Sequence, residues 1–402
     1  MTKRLYYADV YTKEFAARIV NKIKLDGKFA VELNMTLFYP TSGGQMHDTG
    51  TLGGACVVDV IIKDDAIWHI LDRPINGEQV HGTLNWQRRF DFMQQHTAFH
   101  ILAGSFRNRL GVDTLSSHLG DDNSTIDVNS ERINEPQLQD VENFANQVIW
   151  ENRPVRAFWA GKFDLNNPLL RKKPDAGHEK IRLVEIENLD LDPCGGTHVT
   201  ATGQVGFIKI TGSEKIRGYT RYSFIAGNRA FRDLQKTYSV ITTLGQILTT
   251  GVDGLPTAVE KLVQENKRLD KTVQNFEKEA DERMIAELAQ LAADNSLVSM
   301  HYNDKTPETL RRVAGAVIKQ SSGTFLLGSA GETPCVVFAT TQSDLDLRPV
   351  LKQILPLFKG RGGGSASFVQ GGGTNSAGIA AALETAAGLV SDELYGTSKI
   401  RS

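Results

Sequence analysis

The sequence predicts an α+β protein of several domains: a small β unit, a mixed domain of helices on antiparallel strands, a helical segment, and a final α/β domain. Three observations carry that reading. Short runs in residues 3–85 alternate apolar and polar side chains between glycines. Helical and strand-like patterns interleave through residues 88–227 around two histidine-bearing motifs. Residues 255–280 repeat apolar side chains at steps of four and three. At 402 residues the chain exceeds the size of one hydrophobic core. We divide it into residues 1–85, 86–229, 230–296 and 297–402.

In the first segment, runs at 29–33, 53–62 and 66–71 read as strands of a barrel or sandwich. Between them, residues 36–50 hold Gly43 and Gly44 inside an apolar, hydroxyl-rich stretch. Paired glycines there let a backbone approach a ligand closely, or make a β-turn with a bulge. Residues 88–111 then read as one helix, with Phe92, Phe99, Leu102, Phe106 and Leu110 at helical spacing and Gly111 as its C-terminal stop.

His96 and His100 lie four apart on that helix, so both imidazoles project from one face. Thr97 stands where a zinc-protease helix carries glutamate, which argues against protease chemistry. Downstream, Cys194 and His198 share the same spacing in a loop broken by Pro193, Gly195 and Gly196. Three imidazoles and one thiolate form a nitrogen and sulfur set that favours Zn2+. The other two cysteines, Cys56 and Cys335, are too few and scattered for a disulfide framework, which fits a reducing cytoplasm.

Strand-like runs at 116–128, 181–186, 204–210 and 222–227 and a helix at 138–152 complete the mixed domain. Leu255, Val259, Leu262, Asn266, Leu269, Val273, Phe276 and Ala280 form a coiled-coil seam. Its partner is either the helix expected at 228–249, in a hairpin, or a second copy of the chain. In the last segment, helices at 313–320 and 347–358 alternate with strands at 324–327 and 335–339. A glycine-rich loop at 359–373, a form that can bind phosphate, precedes an alanine-rich helix.

A formal net charge of −2 gives no general attraction to nucleic acid, so any RNA contact needs local basic patches. The candidates are Arg88-Arg89, Arg171-Lys172-Lys173, Lys215 with Arg217 and Arg221, and Lys359 with Arg361. The first ten residues lack an apolar signal core and no apolar run is long enough to span a bilayer, so we expect a cytoplasmic protein without membrane contact.

His96-Thr97-Ala98-Phe99-His100 followed by Cys194-Gly195-Gly196-Thr197-His198 resembles the zinc motifs of the alanyl-tRNA synthetase editing domain and of the AlaX alanyl-tRNA editing proteins, in their long form. Phe38-Tyr39-Pro40, Gly43-Gly44-Gln45 and Asp48-Thr49-Gly50 resemble the same family's signature, although Thr41-Ser42 stands where the family usually carries a glutamate. The resemblance implies that Thr36 bonds the hydroxyl of a seryl substrate and that Gln45 holds water or the ester carbonyl. It extends to the basic segment containing Arg217 and Arg221. The glycine-rich stretch with Lys359 and Arg361 resembles the synthetase C-terminal domain shared with the DHHA1 family, which implies tRNA contact or dimerisation. The implied activity is ATP-independent, zinc-containing trans-editing: hydrolysis of mischarged tRNA(Ala), chiefly Ser-tRNA(Ala), with Gly-tRNA(Ala) second. A non-catalytic zinc-containing RNA-binding protein and a zinc hydrolase of a small-molecule ester are the alternatives. A homodimer through the coiled coil or the C-terminal domain is also expected.

Overall fold

Alternation along the first segment bends its strands around one core. The computed structural model describes residues 2–130, 133–160, 167, 169–171 and 181–396, with side chains to residue 393; Lys172 and Lys173 therefore lie outside the described residues. The chain divides into two compact units, 1–247 and 248–402. The β unit and the mixed domain thus belong to one body, and the expected helical segment 230–296 is divided between the two.

In the first unit, β1 (Lys3–Arg4) pairs in parallel with β4 (Met35–Thr36). Strands β2 (Glu14–Leu25), β3 (Lys28–Leu33), β5 (Gly50–Leu52), β6 (Ala55–Lys63), β7 (Ala66–Leu71) and β8 (Gln79–Leu84) close into a barrel in the order β2-β3-β7-β6-β5-β8. Inward residues such as Phe15, Val31, Leu33, Leu52, Val60 and Val80 fill it. Closure leaves no open strand edge.

Asn85 ends this segment and caps α1 (Trp86–Leu110), its side chain accepting from Arg88 N; Gly111, at φ 66°, stops the helix in the left-handed conformation. From Phe92 to Phe106 every residue of α1 is buried, polar ones included. Arg89 is fully buried too, and its Nη2 donates to Asp48 Oδ2 and Leu37 O, both at 2.5 Å. This ion pair ties residues 37–48 to the helix, so the expectation of Arg89 as an RNA contact is corrected. Its neighbour Arg88 pairs with Asp121.

The stretch expected as one strand over 116–128 is a hairpin, β9 (Thr114–Leu119) and β10 (Ser124–Val128), turning at Gly120. A capping box at Asn134 starts α2 (Glu135–Trp150). Strands β11 (Val155–Ala160), β12 (Ile181–Ile186) and β13 (Asp190–Pro193) make a three-stranded sheet. Strands β14 (Ile208–Ile216) and β15 (Tyr219–Ala226) complete the sheet β14-β15-β10-β9. One core of Phe92, Leu102, Phe106, Ile126, Val148, Val184 and Phe224 joins α1 and α2 to both sheets. The helix α3 (Gly227–Leu248) leaves Phe231, Leu234 and Tyr238 exposed.

In the second unit, α4 (Leu255–Asp294) is a single helix of 40 residues. The expected seam residues Val259, Leu262, Leu269, Val273 and Phe276 are exposed on it, while Met284 and Leu288 enter the core. Strand β16 (Leu297–Tyr302), α5 (Pro307–Gln320), β17 (Thr324–Ser329), β18 (Cys335–Thr340), α6 (Leu347–Ile354), β19 (Arg361–Gly364), β20 (Phe368–Gly372) and α7 (Gly378–Gly396) follow. The sheet runs β16-β17-β18-β20-β19, with α4 and α5 on one face and α6 and α7 on the other. Covered faces explain why β17 and β18 are apolar without alternation. The glycine-rich run expected as a loop is instead the edge hairpin of β19 and β20. The fold is α+β, with seven α-helices among the described residues, none long and apolar enough to cross a membrane.

Candidate metal centre

The four sequence-predicted ligands meet at one point. Helix α1 carries His96 and His100 on successive turns, and the loop after β13 carries Cys194 and His198 to the same place. Their four ligand atoms lie within 4.8 Å of one another, and Cys194 Sγ is 3.3 Å from both His96 Nε2 and His198 Nε2. A tetrahedral zinc with ordinary bond lengths would separate such donors by about 3.4–3.6 Å. The glycines of the loop permit this approach, because a Cβ on Gly196 would fall 2.2 Å from His96 Cε1.

Each imidazole is aimed from behind. His96 Nδ1 donates to Gln45 Oε1 at 2.8 Å, and His100 Nδ1 to Asp190 Oδ2 at 2.7 Å. His198 Nδ1 faces Thr97 Oγ1 at 3.5 Å, while that hydroxyl donates to Met93 O and accepts from Val199 N. Thr97, in the place of a protease glutamate, is thus a brace for the second motif. All three Nε2 atoms turn toward Cys194. His100 Nε2 is buried and has no hydrogen-bond partner among the described residues. A buried nitrogen aimed at a thiol and two imidazoles fits a donor set for a cation.

At Cys194 and His198 the electrostatics agree with that fit, whereas His100 is held protonated and must give up its Nε2 proton to a cation. Burial pushes the Cys194 thiol up, but the imidazoles of His96 and His198 outweigh it and hold the group well below the ordinary thiol value. Burial and the neighbouring His96 bring His198 down to about 3, which keeps its ring neutral. Burial would also lower His100, yet the hydrogen bond to Asp190 raises it to about 9. Arg171 stands behind Asp190, with Nε donating to Asp190 Oδ1 at 3.0 Å and Nη2 to Asp192 Oδ2 at 2.8 Å. Arg171, expected as part of an RNA-binding patch, is therefore buried in the ion pairs that hold a ligand in place.

The remaining predicted residues are placed as follows. Gln45 is fully buried; Oε1 accepts from His96 Nδ1 and Thr197 N, and Nε2 donates to Thr197 Oγ1 at 2.9 Å. Its amide is thus engaged with protein, a different placement from one that holds water or an ester carbonyl. Gly43 and Gly44, at φ 55° and 81°, are the corner of a tight turn closed by Ser42 and Gln45, and Gly44 presses on Ser117 O, where a Cβ would sit at 2.8 Å. The close approach is to the chain's own strand β9. Thr36 is fully buried, its Oγ1 2.8 Å from His69 Nε2 and accepting from Phe38 N at 3.0 Å, partners separate from the cluster. Arg221 is held by Asp127 through two bonds of 2.7 and 3.0 Å, whereas Arg217, Lys359 and Arg361 are exposed. Sequence reasoning missed Asp190 and the roles of Arg171 and Thr197; the signal available was the pair of aspartates, Asp190 and Asp192, just before Cys194.

Barrel, mixed domain and His3Cys cluster together define an α+β protein with four convergent side chains that could hold a metal ion. Residues 181–221 match the family described as the threonyl and alanyl tRNA synthetase second additional domain. The chain is 30% identical over 391 residues to the alanyl-tRNA editing protein Aarsd1 of Danio rerio, covering 90% of this chain and 92% of that one. It is also similar to the alanine–tRNA ligases of Pyrococcus furiosus, 35% identical over 71% of this chain, and of Methanoregula boonei, 31% over 92%. It spans only 32% and 42% of those two enzymes. The chain belongs to the alanyl-tRNA editing protein family.

Proposed function

We propose that this chain removes wrongly attached amino acids from tRNA(Ala), hydrolysing the ester that joins serine, and secondarily glycine, to the terminal ribose. It acts in trans, without ATP, in the cytoplasm, with Zn2+ on His96, His100, Cys194 and His198. The single observation that carries the reading is the convergence of those four donors around a buried, unpartnered His100 Nε2. The Danio rerio relative's name supplies the substrate class.

An aminoacyl ester is already activated, so hydrolysis needs a placed water and stabilisation of the developing oxyanion more than a strong nucleophile. Water oxygen bonds to the carbonyl carbon, the bond to the ribose oxygen breaks, and that oxygen leaves with a proton. Zn2+ held by His96, His100, Cys194 and His198 would supply fixed positive charge at this wall of the site and orient the aminoacyl end. Gln45 is a positioning residue: it keeps the proton on His96 Nδ1 so that Nε2 offers its lone pair. Thr36 selects serine. Its hydroxyl, already bonded to His69 and Phe38 N, retains one lone pair for the seryl hydroxyl, which alanine lacks. Replacing Thr36 with Val is expected to lower the ratio of seryl to alanyl hydrolysis by about tenfold to hundredfold, for a contact of about 1–3 kcal/mol. An unchanged ratio removes Thr36 from the mechanism.

Arg217, Lys359 and Arg361, all exposed, are assigned to tRNA phosphates, with Arg221 contributing less because Asp127 offsets its charge. Residues 297–402 would serve as a DHHA1-like tRNA-binding or dimerisation domain, and the exposed seam of α4 suits a second copy. The closed ligand set also favours one other reading, a non-catalytic RNA-binding protein with structural zinc. Deacylation of Ser-, Gly- and Ala-tRNA(Ala), with and without a chelator, separates the two. Release of serine that chelation abolishes supports the enzyme, and zinc-loaded protein that binds tRNA(Ala) without releasing any amino acid supports the alternative.

A further inference from the structure

Inside the barrel, β7 places His69 on the same face as Ile67 and Leu71, both part of the core. His69 is fully buried, with its ring edge-on to Phe38 at 5.6 Å. Its Nδ1 lies 3.1 Å from the carbonyl oxygen of Val31, its cross-strand partner, and its Nε2 lies 2.8 Å from Thr36 Oγ1. A carbonyl oxygen can only accept, so the proton of the neutral ring sits on Nδ1 and Nε2 carries a lone pair. Burial keeps the ring neutral, lowering it to about 4. Thr36 must therefore donate its one hydroxyl proton to His69 Nε2, while its oxygen accepts from Phe38 N at 3.0 Å. One lone pair of Thr36 remains, with no proton left to offer.

A threonine hydroxyl beside an apolar residue would turn freely, donating or accepting as its ligand required. The imidazole removes that freedom. Both side chains are fully buried, so no bulk water competes for the bond between them. We propose that His69 is a positioning residue for substrate choice: by taking the Thr36 proton it makes Thr36 an acceptor only, so that the site reads a donated proton rather than the size of a side chain. The proposal rests on the assignment of Thr36 to the seryl hydroxyl and adds the group that sets the direction of that contact. Serine has a proton to donate and alanine has none. A side chain as large as serine that can only accept brings its own lone pair against that of Thr36, and a buried contact of wrong polarity is unfavourable.

The probe is β-fluoroalanyl-tRNA(Ala), made by chemical acylation, whose fluorine is close to the seryl hydroxyl in size and cannot donate. With each rate divided by that of spontaneous hydrolysis, the wild-type protein is expected to prefer the seryl ester by about tenfold to hundredfold in kcat/KM. His69→Asn keeps an amide near the place of Nδ1 to bond Val31 O but is too short to reach Thr36. In this variant the preference is expected to fall to about threefold or less, at wild-type zinc content, while seryl hydrolysis persists. His69→Gln, whose Oε1 reaches the place of Nε2 and accepts the Thr36 proton, is expected to restore the preference. Adding His69→Asn to Thr36→Val is expected to change the ratio no further, because the two residues act as one unit. Equal wild-type hydrolysis of both esters, an unchanged preference in His69→Asn, or a further fall on adding it to Thr36→Val overturns the inference, while seryl hydrolysis keeps the deacylase reading intact. If His69→Asn does not fold, the wild-type ratio decides alone. An unchanged ratio of seryl to alanyl hydrolysis in Thr36→Val removes the Thr36 assignment and the inference with it.

Discussion

Gly196 and Gly195 are adjacent, neither adopts a positive φ, and they face different surroundings, which makes them a matched pair for testing the metal centre. A Cβ at Gly196 would lie 2.2 Å from His96 Cε1, 2.3 Å from His96 Nδ1 and 2.9 Å from Gln45 Oε1. Carbon atoms in contact prefer about 3.5–4.0 Å, so the ring or the loop must retreat by roughly 1.3 Å or more. Metal–ligand distances tolerate only about 0.2 Å. Gly196→Ala should therefore displace His96 from both Gln45 and the cluster, at an overpacking cost of about 1–3 kcal/mol that leaves the chain folded. A Cβ at Gly195 meets only Tyr7 Oη, at 3.4 Å, a contact the hydroxyl can relieve by a small shift. Measured zinc content and single-turnover hydrolysis of Ser-tRNA(Ala) should both collapse in Gly196→Ala, with circular dichroism unchanged, and both should persist in Gly195→Ala. Stoichiometric zinc and a wild-type rate in Gly196→Ala would refute the assignment of His96 as a ligand held by this loop.

Three further outcomes follow from the same contacts. Asp190→Asn weakens the hydrogen bond that aims His100 and leaves Arg171 short of a charge partner, so zinc affinity should fall about 10–100-fold in competition with a chromogenic chelator. Asp48→Asn leaves the Arg89 guanidinium buried without its counter-charge, and urea denaturation should show a loss of about 3–5 kcal/mol from the first unit; a loss below about 1 kcal/mol would mean that Leu37 O and Val10 O suffice. His69 is buried and its desolvation lowers it from 6.5 to about 4. The unfolded chain takes up that proton near pH 6.5 and the folded chain only near 4, so acid favours unfolding across this window. Stability should decline by about 3 kcal/mol between pH 6.5 and 4 on account of this residue, and His69→Gln should flatten that part of the curve. Parallel pH curves would show that the ring takes up its proton over the same pH range folded and unfolded, and would overturn the lowered value.

The four candidate ligands were legible because such a set leaves a local trace: two histidines one helical turn apart, and a cysteine and histidine spread across a glycine turn. The helix itself was legible from its aromatic spacing and from Gly111. What stood behind the ligands was not, because Gln45 and Asp190 reach the histidines from 51 and 90 positions away and Arg171 reaches Asp190 from 19. No periodicity records such pairings. Basic runs misled for the same reason. Arg89, Arg171 and Arg221 look alike in sequence to Arg217 and Lys359, yet Asp48, Asp190 and Asp127 take up the charge of the first three. The glycine-rich run at 359–373 reads as a loop because glycine is rare in strands; here it forms an edge hairpin in which Gly362 lies so close to Gln370 O that a Cβ would sit 2.2 Å away.

A polar residue inside a core is ordinarily explained by its partners, and by that standard most of α1 needs no metal. Gln95 pairs with both backbone groups of Ala226, Gln94 donates to Gln204 O, Ser105 donates to Ile101 O and Arg89 pairs with Asp48. His96 and His100 differ. Their Nδ1 atoms are fully engaged, so neither ring can turn to find another partner without breaking a bond of 2.7–2.8 Å. His100 Nε2 is nonetheless buried facing the Cys194 thiol without a hydrogen bond of ordinary geometry. Leaving such a nitrogen unpaired costs about 1–3 kcal/mol, and a chain selected only for stability would recover it by an apolar replacement or a turned ring. Fixing the ring from behind while its front faces a thiol and two imidazoles is the arrangement a cation would complete.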